Sequence, residues 1–86
     1  MRAILHRNFT KRYKRLTETE RHRFRERRDI FLKNPFHPLL NNHALSGTYQ
    51  GCRSINITDN LRATYEQIDR DIAHFITLGI HPELYE

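Results

Sequence analysis

Pro35 and Pro38, in the stretch Asn-Pro-Phe-His-Pro, split the chain into two segments of different periodicity. A proline cannot continue a helix, and it pushes the residue before it out of the helical region. Any helix upstream must therefore stop at about Asn34. Before that point the apolar residues recur at helical spacing. Phe9, Tyr13 and Leu16 stand at i, i+4 and i+7, one face of an amphipathic helix, for which Asn8 or Thr10 is the expected cap. Thr17 with Glu20 at the third position after it is a capping-box pattern. It predicts a second helix over residues 18–33, with Phe24, Ile30 and Phe31 as its main apolar residues. Residues 2–5, Arg-Ala-Ile-Leu, read as a short strand ahead of both helices.

After the prolines, residues 39–47 read as an irregular connection, because Asn-Asn-His and Ser-Gly are turn signals. The period then becomes two. Ile55 and Ile57 share one parity, and Cys52, Ser54 and Asn56 share the other, which predicts a half-buried strand. Asp59 and Asn60 form a tight-turn pair, since both tolerate left-handed geometry. A second strand follows, with Leu61, Ala63 and Tyr65 on one side and Arg62, Thr64 and Glu66 on the other. The chain turns again at residues 68–71, and a last apolar run begins at Ile72 and is ended by Gly79. The predicted fold class is α+β, a single domain over residues 1–86 with the order β-α-α-β-β-β. It is a small sandwich: a mainly antiparallel sheet with the two N-terminal helices packed on one face. The other face is expected to show Ser54, Asn56, Arg62 and Thr64 to water, as antiparallel sheets commonly do.

The net charge of +5 conceals an asymmetry. Residues 1–34 carry 12 Lys and Arg against 4 Asp and Glu, and residues 35–86 carry 3 against 6. A half this basic suggests a polyanionic partner, either nucleic acid or an acidic protein, unless the charges only solvate the helices. The single cysteine, Cys52, excludes an intrachain disulfide and fits a reducing cytoplasm. No apolar run is long enough for a bilayer, no signal-peptide pattern is present, and no Cys/His spacing of the zinc-finger kind occurs. Neither membrane, metal nor cofactor is expected.

Three pieces in order carry a family resemblance: His-Ala-Leu-Ser-Gly at residues 43–47, Gly-Cys-Arg-Ser-Ile at 51–55, and Gly-Ile-His with Glu-Leu-Tyr within 79–85. They resemble the RelE/ParE superfamily of toxins from type II toxin–antitoxin systems, and within it the YafQ-like, RelE/StbE-type messenger-RNA interferases. The resemblance is strong from Pro35 to Tyr85 and rests only on element order in the basic half. It implies a ribosome-dependent endoribonuclease that cuts messenger RNA in the A site of the 70S ribosome and is neutralised by a cognate antitoxin protein. Two alternatives stay open: a ParE-like toxin that inhibits DNA gyrase without catalysis, and a weakly active remnant that only binds antitoxin.

Metal-free RNA cleavage must move a proton from the 2′-hydroxyl, stabilise a pentavalent phosphate and return a proton to the 5′-oxygen. Histidine suits both transfers, and the planar, always charged arginine fork suits the phosphate. The candidate catalytic set is His43, His81 and Arg62. His43 and His81 match the family's loop and C-terminal histidines, and Arg62 matches its strand arginine. Arg53, Asn56, Asn60 and Tyr85 are the candidate substrate contacts. The parity of Arg53 matches Ile55 and Ile57, so a structural tie is as strong a reading there. Asn56 stands where YafQ-like toxins carry another histidine, and Asp59 with Asn60 stand where many members carry Gly-Asp. Asparagine bonds a substrate but exchanges no proton at neutral pH. His6, His22, His37 and His74 are expected at the surface or in packing.

Overall fold

The computed structural model describes residues 1–80, so His81 and Tyr85 lie outside the described residues. Strand β1 (Arg2–Leu5) leads into helix α1 (Arg7–Lys14), and helix α2 (Glu18–Lys33) follows. The capping box at α2 is complete. The Thr17 hydroxyl accepts from the Glu20 N–H at 3.1 Å, and the Glu20 carboxylate accepts from the Thr17 N–H at 2.9 Å. The helix ends at Lys33, with Asn34 extended before Pro35. At α1 the cap is neither Asn8 nor Thr10 but His6, whose Nδ1 accepts from the Asn8 N–H at 3.0 Å. The helix starts straight out of β1, so Asn8 and Thr10 already lie inside it. The Thr10 hydroxyl donates back to the His6 carbonyl instead, at 3.4 Å.

Four further strands complete one sheet: β2 (His43–Ala44), β3 (Arg53–Asn56), β4 (Leu61–Asp69) and β5 (Ile72–Ile80). Their order is β1-β5-β4-β3-β2, with β1 parallel to β5 and every other pair antiparallel. Strand β2 lies within what was expected to be an irregular connection. It is two residues long, His43 opposite Ser54 and Ala44 opposite Arg53, too short to show a period. Gly79 does not end the last strand either. It sits within β5 opposite Arg62.

Both helices cover one face. Phe9 of α1 and Phe24 and Phe31 of α2 meet Tyr65 and Phe75 of the sheet, with ring centroids 4.9 to 6.2 Å apart in tilted and edge-on pairs. Leu40, Ile55, Ile57, Leu61, Ala63 and Leu78 fill the rest of this core. A bulge at Ile76 makes the arrangement possible. Thr64 pairs with Thr77 but Tyr65 pairs with Phe75, so Ile76 is the extra residue and the parity of β5 reverses there. Phe75 and Leu78, three apart, therefore both reach the core.

The register orders the opposite face into rows. His43, Ser54, Thr64 and Thr77 form one row across four strands, and Asn56, Arg62 and Gly79 form the next. This face is less open than the alternation predicted. Ser54 and Thr64 are 0% exposed, while Asn56 and Arg62 are half-buried. The connection between β2 and β3 approaches this face at its β5 end. It folds back through Leu45 N–H to the Cys52 carbonyl, turns at Gly47–Tyr49, and brings Tyr49 to a cavity that Ile76 and Thr77 of β5 also line. Alternation reports which way a side chain points, not how deeply it is buried.

Candidate functional site

His43 is exposed, at the sheet edge. Its Nδ1 lies 2.8 Å from the Asn41 carbonyl oxygen. A carbonyl can only accept, so the ring nitrogen there carries the proton and Nε2 keeps its lone pair when the ring is neutral. Asn41 holds that carbonyl in place. It is the left-handed residue (φ 45°) that closes the short 3-10 turn at Pro38–Leu40, a conformation asparagine tolerates better than most residues. The other histidines with ring-nitrogen bonds are used the opposite way. Nδ1 of His6 accepts from Asn8 N–H, and Nδ1 of His37 accepts from Leu39 N–H, so both serve as caps. His22 lies 3.9 Å from Glu26, and His74 stacks on His6 at 5.6 Å.

Asn56 and Arg62 are direct partners on the same face as His43. The row they form is one strand-pleat repeat, about 7 Å, along the sheet from the row of His43. Among the described residues, Asn56 Oδ1 is buried without a hydrogen-bond partner, as is Thr64 Oγ1 in the neighbouring row. Such groups are uncommon in folded proteins, and each costs about 1–3 kcal/mol until something bonds to it. Arg62 folds over the turn that precedes β4. Its Nη1 donates to the carbonyls of Thr58 at 2.9 Å and Asp59 at 2.8 Å. Asn60 is exposed in that same turn, its N–H bonded to the Thr58 hydroxyl. An open cavity of about 390 Å³ collects Asn56, Thr58 and Asp59 with Asn41 and with Arg23 and Arg27 of α2. His43, Arg62 and Asn60 are not among its lining residues.

Arg53 lies apart from this group. It pairs with Tyr65 on the helix-covered face. Its Nε donates to Asn42 Oδ1 at 2.7 Å, and its guanidinium sits 5.2 Å above the Phe36 ring. Asn42 in turn donates to the Tyr65 hydroxyl and the Pro35 carbonyl, at 2.8 and 2.9 Å. That network ties the edge strand to the turn after α2, in keeping with the structural side of the expectation. The candidates His81 and Tyr85 fall outside the described residues. Asn41, which orients His43, was hidden in sequence as an ordinary turn residue. Its signal is the repeated asparagine before the histidine.

The basic charge divides between the helices in an unexpected way. On α2, Arg21 and Arg25 reach Glu18, at 3.2 and 3.3 Å, Arg23 reaches Glu26, and Arg28 reaches Asp29. Hydrogen bonds from Arg21 and then Arg25 hold the Glu18 carboxyl below its usual range. Helix α1 has no acidic residue in its first turn and ends on basic ones. Lys11 and Arg15 make no ion pair among the described residues. Those residues contain no cluster of His, Cys, Asp and Glu able to hold a metal ion, and no helix among them is long and apolar enough to cross a membrane.

No family model matches the chain, and no curated protein sequence matches it. Solved structures do. YafQ from Escherichia coli aligns over 99% of this chain and 98% of its own, with a TM-score of 0.77 at 16% identity. A YoeB/ParE toxin from Agrobacterium tumefaciens aligns over 94% and 99%, with a TM-score of 0.77 at 19% identity. The E. coli DinJ–YafQ toxin–antitoxin complex aligns over 99% and 97%, with a TM-score of 0.74 at 16% identity. Two helices on one face of a five-stranded, mostly antiparallel sheet, matched end to end by these structures, is the fold of the RelE/YafQ-like toxins.

Proposed function

We propose that the protein is the toxin of a type II toxin–antitoxin system and cuts messenger RNA in the ribosomal A site without a metal ion. The observation that carries this reading is His43: an exposed imidazole whose Nδ1 proton is committed to the Asn41 carbonyl, on the same sheet face as Arg62 and the unpartnered Asn56 Oδ1. In the proposed reaction Nε2 of His43 takes the proton of a 2′-hydroxyl. The 2′-oxygen attacks the adjacent phosphorus, forming a 2′,3′-cyclic phosphate. The bond to the 5′-oxygen breaks, and that oxygen takes a proton from His81. Arg62 spends Nη1 on backbone carbonyls, so Nη2 is the group proposed to meet the phosphorane. Asn56 and Asn60 hold the substrate, and Tyr85 adds a contact. With asparagine at position 56, proton transfer falls to the two histidines.

The partner proposed to silence this activity is a cognate antitoxin. Relatives by fold support that part, since E. coli YafQ and Staphylococcus aureus YoeB are solved in complex with DinJ and YefM. The test is primer-extension mapping of messenger RNA in a translation extract given purified protein. Discrete cuts are expected, and His43→Ala and His81→Ala are each expected to remove them. Unchanged cutting by either variant would overturn the role of that histidine. Loss of DNA supercoiling without RNA cuts would replace the reading with gyrase inhibition, and absence of both effects would leave a protein that only binds antitoxin.

A further inference from the structure

A second open cavity, of about 310 Å³, lies where α1 meets the sheet face that carries His43. Its lining is Asn8, Lys11, Arg12 and Arg15 of α1, Tyr49 from the turn between β2 and β3, and Ile76 and Thr77 of β5. The helical residues follow one stripe, at i, i+3, i+4 and i+7. The opposite stripe, Phe9, Tyr13 and Leu16, is spent on the core. Arg12 donates to the Leu78 carbonyl at 3.2 Å, which pins the helix to β5. Lys11 and Arg15 are exposed, and neither makes an ion pair among the described residues. The nearest acid in the adjoining lining is Glu20, whose carboxylate already accepts from the Thr17 N–H. Among the described residues, three cations thus share a concave wall that no acid lines, and a half-buried tyrosine forms the other side.

Thr77 gives the cavity its relation to the candidate cleavage point. It is the β5 member of the row His43–Ser54–Thr64–Thr77. Three strand spacings separate the ends of that row, about 14 Å. We propose that this cavity seats a backbone phosphate of single-stranded RNA, with a base stacked on Tyr49, a few nucleotides along the strand from the bond cut at His43. A strand-tracking site needs this combination: cations for the phosphate, and an aromatic face that accepts any base. On α2, by contrast, Arg21, Arg23, Arg25 and Arg28 are paired with the helix's own acids. The inference rests on the RNA-cutting reading for its choice of ligand, but it can fail or survive separately.

The test measures binding of a short fluorescein-labelled oligouridylate to the whole protein by anisotropy across a salt series. It compares wild type with the double variant Lys11→Gln/Arg15→Gln, with Tyr49→Ala, and with a control that removes equal charge from α2, Arg21→Gln/Arg25→Gln. Lys11 and Arg15 are exposed and glutamine is a good helix former, so circular dichroism should stay unchanged. The α1 double variant is expected to weaken binding about tenfold or more and to lower the salt slope by about 0.7, the value for one single-strand phosphate. Tyr49→Ala is expected to weaken it by about tenfold with the slope unchanged. The α2 control should bind as wild type. Equal loss in both double variants means diffuse attraction and overturns the site, as does no loss in either. Retained oligouridylate binding with lost binding of polyglutamate in the α1 variant would reassign the cavity to an acidic protein and overturn the RNA assignment. His43-dependent cutting with undiminished RNA binding by the α1 variant sinks this site alone. Binding that depends on α1 without any cutting sinks the nuclease reading and keeps the site.

Discussion

At the scale of single residues, the protein uses asparagines as fittings. Asn41 orients His43 through its carbonyl, and Asn42 joins Arg53, Tyr65 and Pro35 through both ends of its amide. Removing the second amide strands the Tyr65 hydroxyl and the Arg53 guanidinium at once. Asn42→Ala is therefore expected to lower stability by about 1–3 kcal/mol, read as a shift in the urea midpoint with an unchanged slope. Cys52 makes a different prediction. Burial first, and the Glu66 charge second, push its thiol above the ordinary value. A group raised in the folded state contributes stability that is present below its unfolded pKa and fades as pH climbs through the folded one. Above about pH 8.5 wild-type stability should therefore fall faster than that of Cys52→Ala. Iodoacetamide should label the folded protein slowly and the urea-unfolded chain quickly, and fast labelling of the folded state would show the thiol to be accessible. The candidate site was legible at this scale where residue type alone mattered. His43, Asn56 and Arg62 do share a face. Asn41 was not legible, because it acts through its backbone.

At the scale of elements, α2 was readable almost to the residue because both its ends are chemical: a capping box at Thr17 and a proline after Asn34. Thr17→Ala should cost about 0.5–2 kcal/mol, seen as a lowered melting temperature. A variant melting like wild type would show that tertiary contacts, not the cap, hold that turn. Helix α1 was placed by its apolar stripe but miscapped, since a histidine nitrogen is an unusual acceptor at that position. The two helices look alike in composition, and only geometry separates them. The acids of α2 lie within reach of its own arginines, while α1 presents its charge outward. Strand β2 and the bulge at Ile76 escaped alternation for opposite reasons. One is too short to carry a period, and the other reverses the period in mid-strand.

At the scale of the whole molecule, one small aromatic core supports everything else. Phe31 touches both Tyr65 and Phe75, at 4.9 and 5.3 Å between centroids, and is fully buried. Phe31→Ala should cost about 3–5 kcal/mol, a large part of the ~5–15 kcal/mol that holds a domain together. A broadened or lost melting transition is the expected result. The fold itself was legible because local signals and global arrangement agree, as the order of elements and the one-sided placement of both helices show. The burial of Ser54 and Thr64 was not legible, because alternation gives a side chain's direction and not its depth.

The parallel pairing of β1 with β5 has a kinetic consequence. Arg2 meets Ile72 and Leu5 meets Phe75, so this ladder closes a loop containing nearly everything between them. Long-range closure loses chain entropy before any contact rewards it, whereas β4 and β5 are joined by a tight turn and can form early. The edge strand is therefore expected to dock after the rate-limiting step. Weakening it, as with Ala3→Gly, should speed unfolding while leaving the refolding arm of the chevron nearly unmoved. A slowed refolding arm would instead put β1 in the nucleus. The lifetime of the folded state would then be set by a four-residue strand at the far edge of the sheet from His43.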